Sequence, residues 1–234
     1  MPPKALSAVF VLTLGLGTSA AWGGMITATL TADNHYGLYV GSADGASLTF
    51  VGRNEFGDFG DPGYWNWSLP ETWEFVAQPG EYLYVLAWDD HAPEGGVRMW
   101  IGQFLSAGGT LLVSNENDWE SALGGPNPFL GPEGANADVP PLAEVRAAIA
   151  GASWGKPAAS RANDGFYYWE GGAPDIDPSA RFLWHDAFRV PADQNQHYVL
   201  LRSLAPGAAR VPEPATLALL GLGLAGLGLS RRRT

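Results

Sequence analysis

The sequence predicts an all-β fold, a two-sheet antiparallel β-sandwich of jelly-roll form with one short helix, flanked by an N-terminal signal peptide and a C-terminal hydrophobic helix. Three observations predict it. From Met25 to Ser203, short runs of alternating apolar residues are separated by Gly, Pro, Asn and Asp clusters, the pattern of strands joined by turns. Only one stretch repeats its apolar residues at helical spacing. No internal repeat of fixed period occurs, which argues against a propeller or a solenoid.

The strands expected from this pattern are Ile26–Thr31, Tyr36–Val40, Ser47–Val51, Thr72–Val76, Tyr82–Trp88, Arg98–Phe104, Thr110–Ser114, Phe166–Trp169, Arg181–Trp184 and Tyr198–Arg202. Asp44-Gly45, Asp61-Pro62-Gly63, Gly95-Gly96 and Gly108-Gly109 supply the positive or fixed φ that chain reversals need. The helix is expected over Pro141–Ala150, where Pro140 and Pro141 suit a first turn and Leu142, Val145 and Ile149 recur at helical spacing. Gly124 to Asp138, rich in Gly, Pro and Asn, reads as a long loop of a length that is usually functional or disordered.

Both ends read as addresses. Met1-Pro2-Pro3-Lys4 precedes an apolar stretch from Ala5 to Gly17 and then small residues through Ala21, the layout of a secretory signal peptide that a translocase and signal peptidase would handle. The stretch is short for a membrane anchor. At the other end Val211-Pro212-Glu213-Pro214 is followed by an apolar run from Ala215 to Leu229 and the triplet Arg231-Arg232-Arg233. Prolines keep the motif extended, and the arginines mark a cytoplasmic stop. A plain membrane anchor is the alternative reading of a run this long. The chain thus divides into 1–23, signal peptide; 24–205, an exported sandwich domain; and 206–234, a tail made of motif 211–214, apolar helix 215–229 and basic stop 231–233.

This tail resembles the PEP-CTERM sorting signal, with Pro212, Glu213 and Pro214 at the motif positions. The resemblance implies a bacterial, inner-membrane-anchored precursor whose tail an exosortase processes near the motif, sending the protein to the cell surface or the exopolysaccharide matrix. It says nothing of the domain before it.

At 234 residues, the chain leaves about 180 once the ends are set aside, enough for one domain with a core that needs no staples. Cysteine is absent, so there is no disulfide framework, no thiolate nucleophile and no cysteine metal cluster. The formal charge is -11, and setting aside Lys4, Glu213 and Arg231 to Arg233 leaves 9 basic against 23 acidic residues. Such a field disfavours nucleic acid and anionic lipid and suits a divalent cation or a neutral glycan. Solubility alone also accounts for it.

The order of features within the domain also resembles a galactose-binding-like jelly roll. The likeness rests on Leu30-Thr31-Ala32-Asp33-Asn34 leading into Tyr36-Gly37-Leu38-Tyr39-Val40-Gly41, on Trp65, and on Tyr82 to Asp89. Arg181-Phe182-Leu183-Trp184 and Tyr198 to Arg202 extend it. Val40 stands where the pattern has Asn, and 120 to 165 reads as an insertion.

Aromatic clusters are the first candidate for chemistry. Tyr64, Trp65, Trp67 and Trp73 crowd one segment, and Phe166, Tyr167, Tyr168 and Trp169 another. Exposed Trp and Tyr faces stack on sugar rings at small entropic cost, so Tyr64, Trp65, Trp67, Tyr168 and Trp169 are the candidate ligand-binding residues, although such side chains more often fill a core. Acidic residues at strand ends come second. Asp33, Asn34, Asp89, Asp90 and Glu94, with Asp58 and Asp61 beside a Gly-rich turn, offer the oxygens that Ca²⁺ takes, without EF-hand or RTX spacing. Solvated turns use the same residues. No HExxH, GxSxG or clustered-His motif links His35, His91, His185 and His197, and a two-carboxylate pair such as Glu94 and Glu170 needs no motif. Asn66-Trp67-Ser68 matches a glycosylation sequon by chance.

The expectation is an exported, non-enzymatic surface or matrix protein that binds carbohydrate in the exopolysaccharide of a biofilm. A structural or adhesive matrix module is the alternative, and a glycan-cleaving enzyme stands third.

Overall fold

The computed structural model describes residues 24–54, 69–89, 98–109, 111–128, 139–163, 173–186 and 196–204. The signal peptide, the tail and the expected strand Phe166–Trp169 lie outside them. The strands are β1 (Gly24–Asp33), β2 (His35–Gly41), β3 (Leu48–Arg53), β4 (Glu71–Ala77), β5 (Tyr82–Trp88), β6 (Met99–Ser106), β7 (Leu111–Val113), β8 (Trp119–Pro126), β9 (Ala158–Ala162), β10 (Arg181–Trp184) and β11 (His197–Ser203), with helix α1 (Leu142–Ala150) between β8 and β9. They form two antiparallel sheets. Sheet A runs β4-β1-β6-β10-β9 with β7 paired to β6, and sheet B runs β3-β2-β5-β11-β8.

Alternation sets the inner faces. Ile26, Ala28, Leu30 and Ala32 of β1 meet Tyr36, Leu38 and Val40 of β2, Leu83, Val85 and Ala87 of β5, and Val199 and Leu201 of β11 in the inter-sheet core. Trp100 and Trp119 pack edge to face there, with ring centres 4.9 Å apart, a favoured aromatic geometry. Each fully buried side chain of this size contributes about 1.5–3 kcal/mol.

The outer faces are covered as well. On sheet B, Tyr39, Tyr84, Leu86, Trp88, Tyr198 and Leu200 pack under Val145 and Ile149 of α1. On sheet A, Met99, Ile101 and Phe182 pack under Ala173, Ile176 and Ala180. α1 begins one residue later than expected, since Pro141 adopts φ -52° and ψ 138° outside the helix while its carbonyl accepts the amides of Glu144 at 2.9 Å and Val145 at 3.1 Å. Among the described residues no helix is long and apolar enough to cross a membrane.

Among the described residues two strands went unexpected, β8 and β9. β8 hydrogen-bonds along β11 and β9 along β10, so both are integral to the sheets. The Gly124-Gly125 pair that suggests a loop lies within β8 because a side chain does not fit: a Cβ at Gly124 would stand 2.0 Å from the Tyr198 ring. Gly45, at φ 72°, makes the expected turn between β2 and β3, a conformation costly to other residues.

An ion-pair cluster ties β11 to its surroundings at the turn end. Arg202 Nε donates to Glu120 at 2.6 Å, and Nη1 donates to the Ala43 carbonyl at 2.6 Å. Its guanidinium lies 4.2 Å from the Trp154 ring centre and 5.3 Å from that of Tyr82, so two aromatic planes and a carboxylate hold one cation.

Candidate functional site

Strand direction places one set of strand ends together. β1 ends at Asp33 where β2 begins at His35; β3, β5, β8 and β10 end, and β4, β6 and β11 begin, at this same end of the sandwich. The chain stretches 55–68, 90–97, 129–138 and 187–195 depart from it. The opposite end is closed by the turns 42–47 and 78–81.

This end has a floor of buried polar side chains: Asn34, His35, Arg53, Asn54, Glu71, Asp89, Arg98 and Asn127. Buried polar groups require partners, and the printed geometry shows how several are held. The Asn34 amide donates to the Trp88 carbonyl at 3.2 Å, joining the β1–β2 corner to the end of β5. Asn127 donates from Nδ2 to the Asp89 carbonyl at 2.9 Å, and its own amide donates to the Gln196 carbonyl at 2.8 Å, joining β8, β5 and β11.

At the sheet edge a short relay crosses the layers. Trp73 Nε1 donates to Tyr36 Oη at 2.9 Å, and Tyr36 Oη donates to Glu71 at 3.4 Å. Trp73 itself fills the space over Gly52, where a Cβ would stand 2.6 Å from its ring. This indole therefore closes the gap between β4 and β3.

His35 is fixed by its neighbours. The Tyr36 amide donates to Asn54 Oδ1 at 3.2 Å, so Asn54 Nδ2 is the atom facing His35 Nδ1 at 3.2 Å. An amide nitrogen only donates, so Nδ1 carries a lone pair and the ring is neutral. Burial first, then the Arg53 charge, pull the His35 pKa down to about 4. The ring stacks on Trp88 at 5.6 Å.

Arg98 is a second buried arginine of the floor, beside Arg53 in the same set. It donates to Asp186 at 3.1 Å and lies 5.6 Å from the Trp184 ring centre. Burial lowers its pKa, while Asp186 and Asp89 raise it again, which is how a buried charge is retained.

Of the candidate residues, Asp33, Asn34 and Asp89 fall on this floor, at the β1–β2 corner and the end of β5. Asp90 and Glu94 lie outside the described residues, as do Asp58, Asp61, Tyr64, Trp65 and Trp67. The stretches that carry them nonetheless start from this end. Tyr168 and Trp169 also lie outside the described residues, on 164–172, which departs from Asn163 after β9 and so from the other end of sheet A. Trp73, in the first cluster by sequence, belongs to the sandwich edge. Among the described residues no three His, Cys, Asp or Glu side chains come together to hold a metal ion.

His185 and Asp186 part company. Ser121 Oγ stands 3.0 Å from His185 Nδ1, while Asp186 pairs with Arg98. Ser121 is fully buried, so this Ser-His contact offers no nucleophile to a substrate. The sequence pattern missed His35, Arg53, Asn54, Glu71 and Asn127, each of which sits at or just beyond a strand end, the one signal that marks them.

The class of the molecule follows from fold and tail together: a two-sheet β-sandwich on a chain with a sorting signal. Residues 210–233 match the PEP-CTERM protein-sorting motif. The chain is accordingly an exported protein sorted by an exosortase, made as a membrane-anchored precursor and processed for the surface. Pro212, Glu213, Pro214 and Arg231 to Arg233 fall inside the matched stretch and outside the described residues. No curated protein and no solved structure matches the chain significantly.

Proposed function

We propose that the sandwich binds carbohydrate at its polar end, without catalysis, and serves in an exopolysaccharide matrix at the cell surface. The observation that supports the reading is the floor of buried, hydrogen-bonded polar side chains at one end of the sandwich, from whose strand ends four chain stretches continue in sequence. One of them, 55–68, brings Tyr64, Trp65 and Trp67, and another, 90–97, brings Asp90 and Glu94. Aromatic plates beside carboxylates and amides are the chemistry that sugar faces and hydroxyls call for.

Retention of the protein on a polysaccharide column tests this. Trp65→Ala and Trp67→Ala are expected to weaken retention about tenfold, the loss of one stacking contact of about 1.4 kcal/mol, and Tyr168→Ala and Trp169→Ala form a second pair in the same assay. Retention untouched by the first pair would sink the reading. A chelator added to the same column tests whether Ca²⁺ near Asp33, Asp89, Asp90 or Glu94 takes part.

A structural or adhesive module is the second reading. What favours it is the use of Trp88, Trp100, Trp119 and Trp184 as core, all fully buried. Tryptophan emission that no oligosaccharide shifts is the outcome it expects.

A further inference from the structure

The outer face of sheet A changes character along its strands. Toward the polar end, Met99 and Ile101 of β6 pack under Ala173, Ile176 and Ala180. Gln103, next on that face, fastens the same cover: its Nε2 donates to the Asp175 carbonyl at 2.8 Å, and its Oε1 accepts the Asp177 amide at 2.8 Å. One position further on the face stands Leu105, and there the apolar side chains are open to solvent. Met25, Val76, Leu105 and Leu111 are all 43–51% exposed.

Register brings these four together. Met25 of β1 pairs with Val76 of β4, and Leu105 of β6 pairs with Leu111 of β7. Thr27, two residues after Met25 and so on its face, pairs with Leu105, while the Ala107 amide donates to the Met25 carbonyl at 2.9 Å. Met25 and Leu105 are therefore diagonal neighbours, a relation that leaves side chains within reach of one another. A contiguous exposed apolar patch on a sheet face marks an interaction surface.

The place of the patch in the fold says what covers it. Gly24, where β1 begins, pairs with Ala77, where β4 ends. The turn 78–81 separates Ala77 from β5, and the Leu83 amide of β5 donates to Oγ of Ser203, where β11 ends, at 3.1 Å. Both ends of the described domain thus lie at the turn end of the sandwich, which is also the end that carries the patch. In sequence, the apolar stretch 5–17 precedes Gly24, and the apolar run 215–229 follows Leu204 after the ten residues 205–214. Ten residues reach at most about 36 Å, so in the membrane-anchored precursor the turn end stays within that distance of the bilayer. A tether this short holds the patch at roughly millimolar effective concentration against the lipid, and weak contacts then suffice. Asp44 and Glu74 are exposed at this end, which favours zwitterionic over anionic lipid.

We propose that the turn end of sheet A is a membrane-resting surface: in the anchored precursor Met25, Val76, Leu105 and Leu111 enter the headgroup region of a zwitterionic bilayer and turn the polar end of the sandwich away from it. The inference rests on the anchored precursor and is independent of the carbohydrate reading.

Cysteine is absent, so one introduced thiol reports one position. The full chain, tail intact, carrying Leu105→Cys, Leu111→Cys or Leu69→Cys is labelled with a nitrobenzoxadiazole fluorophore and placed, one chain per disc, in phosphatidylcholine nanodiscs containing lipid with a nitroxide high on the acyl chain. Leu69 is also exposed but precedes β4 at the polar end. The labels at 105 and 111 are expected to lose about half their emission to the nitroxide, as apolar groups lying roughly 5–10 Å into the interface do, and the label at 69 to lose none. Val76→Asp in the chain labelled at 105 is expected to restore most of the emission. Unquenched labels at 105 and 111, or equal quenching at 69, overturn the proposal. Quenching that Val76→Asp leaves unchanged also overturns it, because the tether alone then brings the label near lipid. A label shielded only when two chains share a disc assigns the patch to a second copy and overturns it as well.

Discussion

His35 shows how one buried side chain couples stability to pH. Its folded pKa of about 4 lies below the ordinary imidazole value of 6.5, so the unfolded chain binds more protons between those values. The sign follows: His35 costs the fold nothing above about pH 6.5, destabilises it increasingly as pH falls toward 4, and adds no further loss below. The groups around it are Arg53 on β3, Asn54 after it and the Trp88 ring on β5, and the Arg53 charge repels an imidazolium. The full effect is roughly 3 kcal/mol, taken at 1.36 kcal/mol per pKa unit. Urea midpoints at pH 7 and pH 4.5 are expected to drop further for the wild type than for His35→Gln. Equal drops would show that carboxylate titration alone drives the acid response.

Elements are placed here by close approach as much as by pattern. β8 pairs with β11 through a register shift opposite Gly124 and Gly125, where the missing side chain leaves room for the Tyr198 ring, and α1 can then settle over that ring through Val145 and Ile149. A methyl group at Gly124 forces Tyr198 aside, so Gly124→Ala is expected to cost about 1–3 kcal/mol, the range for overpacking. Gly155→Ala is the control, since a Cβ there meets nothing within 4 Å. Indistinguishable urea midpoints for the two variants would show that β8 can shift to make room. The Arg202 cluster acts at the same level: it pins β11 to β8, to the turn after β2 and to Trp154 at once, and a lysine could not present the same planar fork between two rings.

At the scale of the whole molecule, the signal that routes the chain and the domain that is routed are separable. The sorting tail is matched over residues 210–233, beyond the last described strand, β11, which ends at Ser203. Replacing Pro212, Glu213 and Pro214 together by alanine is expected to leave the precursor at its full mass in the membrane fraction, read by mass spectrometry. Processing at the unaltered position would show that the motif is not what the exosortase reads. The sandwich itself is expected to keep its melting temperature in that variant, because no described core residue lies in the tail.

Residue order alone determined the address of this protein, since a peptidase reads a short extended motif, an apolar run and a basic stop without any fold around them. It also determined the fold class, because period-two alternation in β1, β2, β5 and β11 fixes which side chains face the core. β8 and β9 were not legible. Their small residues carry little alternation, and their strand character depends on β11 and β10 lying alongside. The polar end was equally hidden: His35, Asn54, Glu71 and Asn127 come from four distant stretches, and nothing local says that they share a floor. Only the tertiary structure could decide that, because antiparallel pairing determines which strand ends meet, and burial turns separate polar side chains into partners that must satisfy one another.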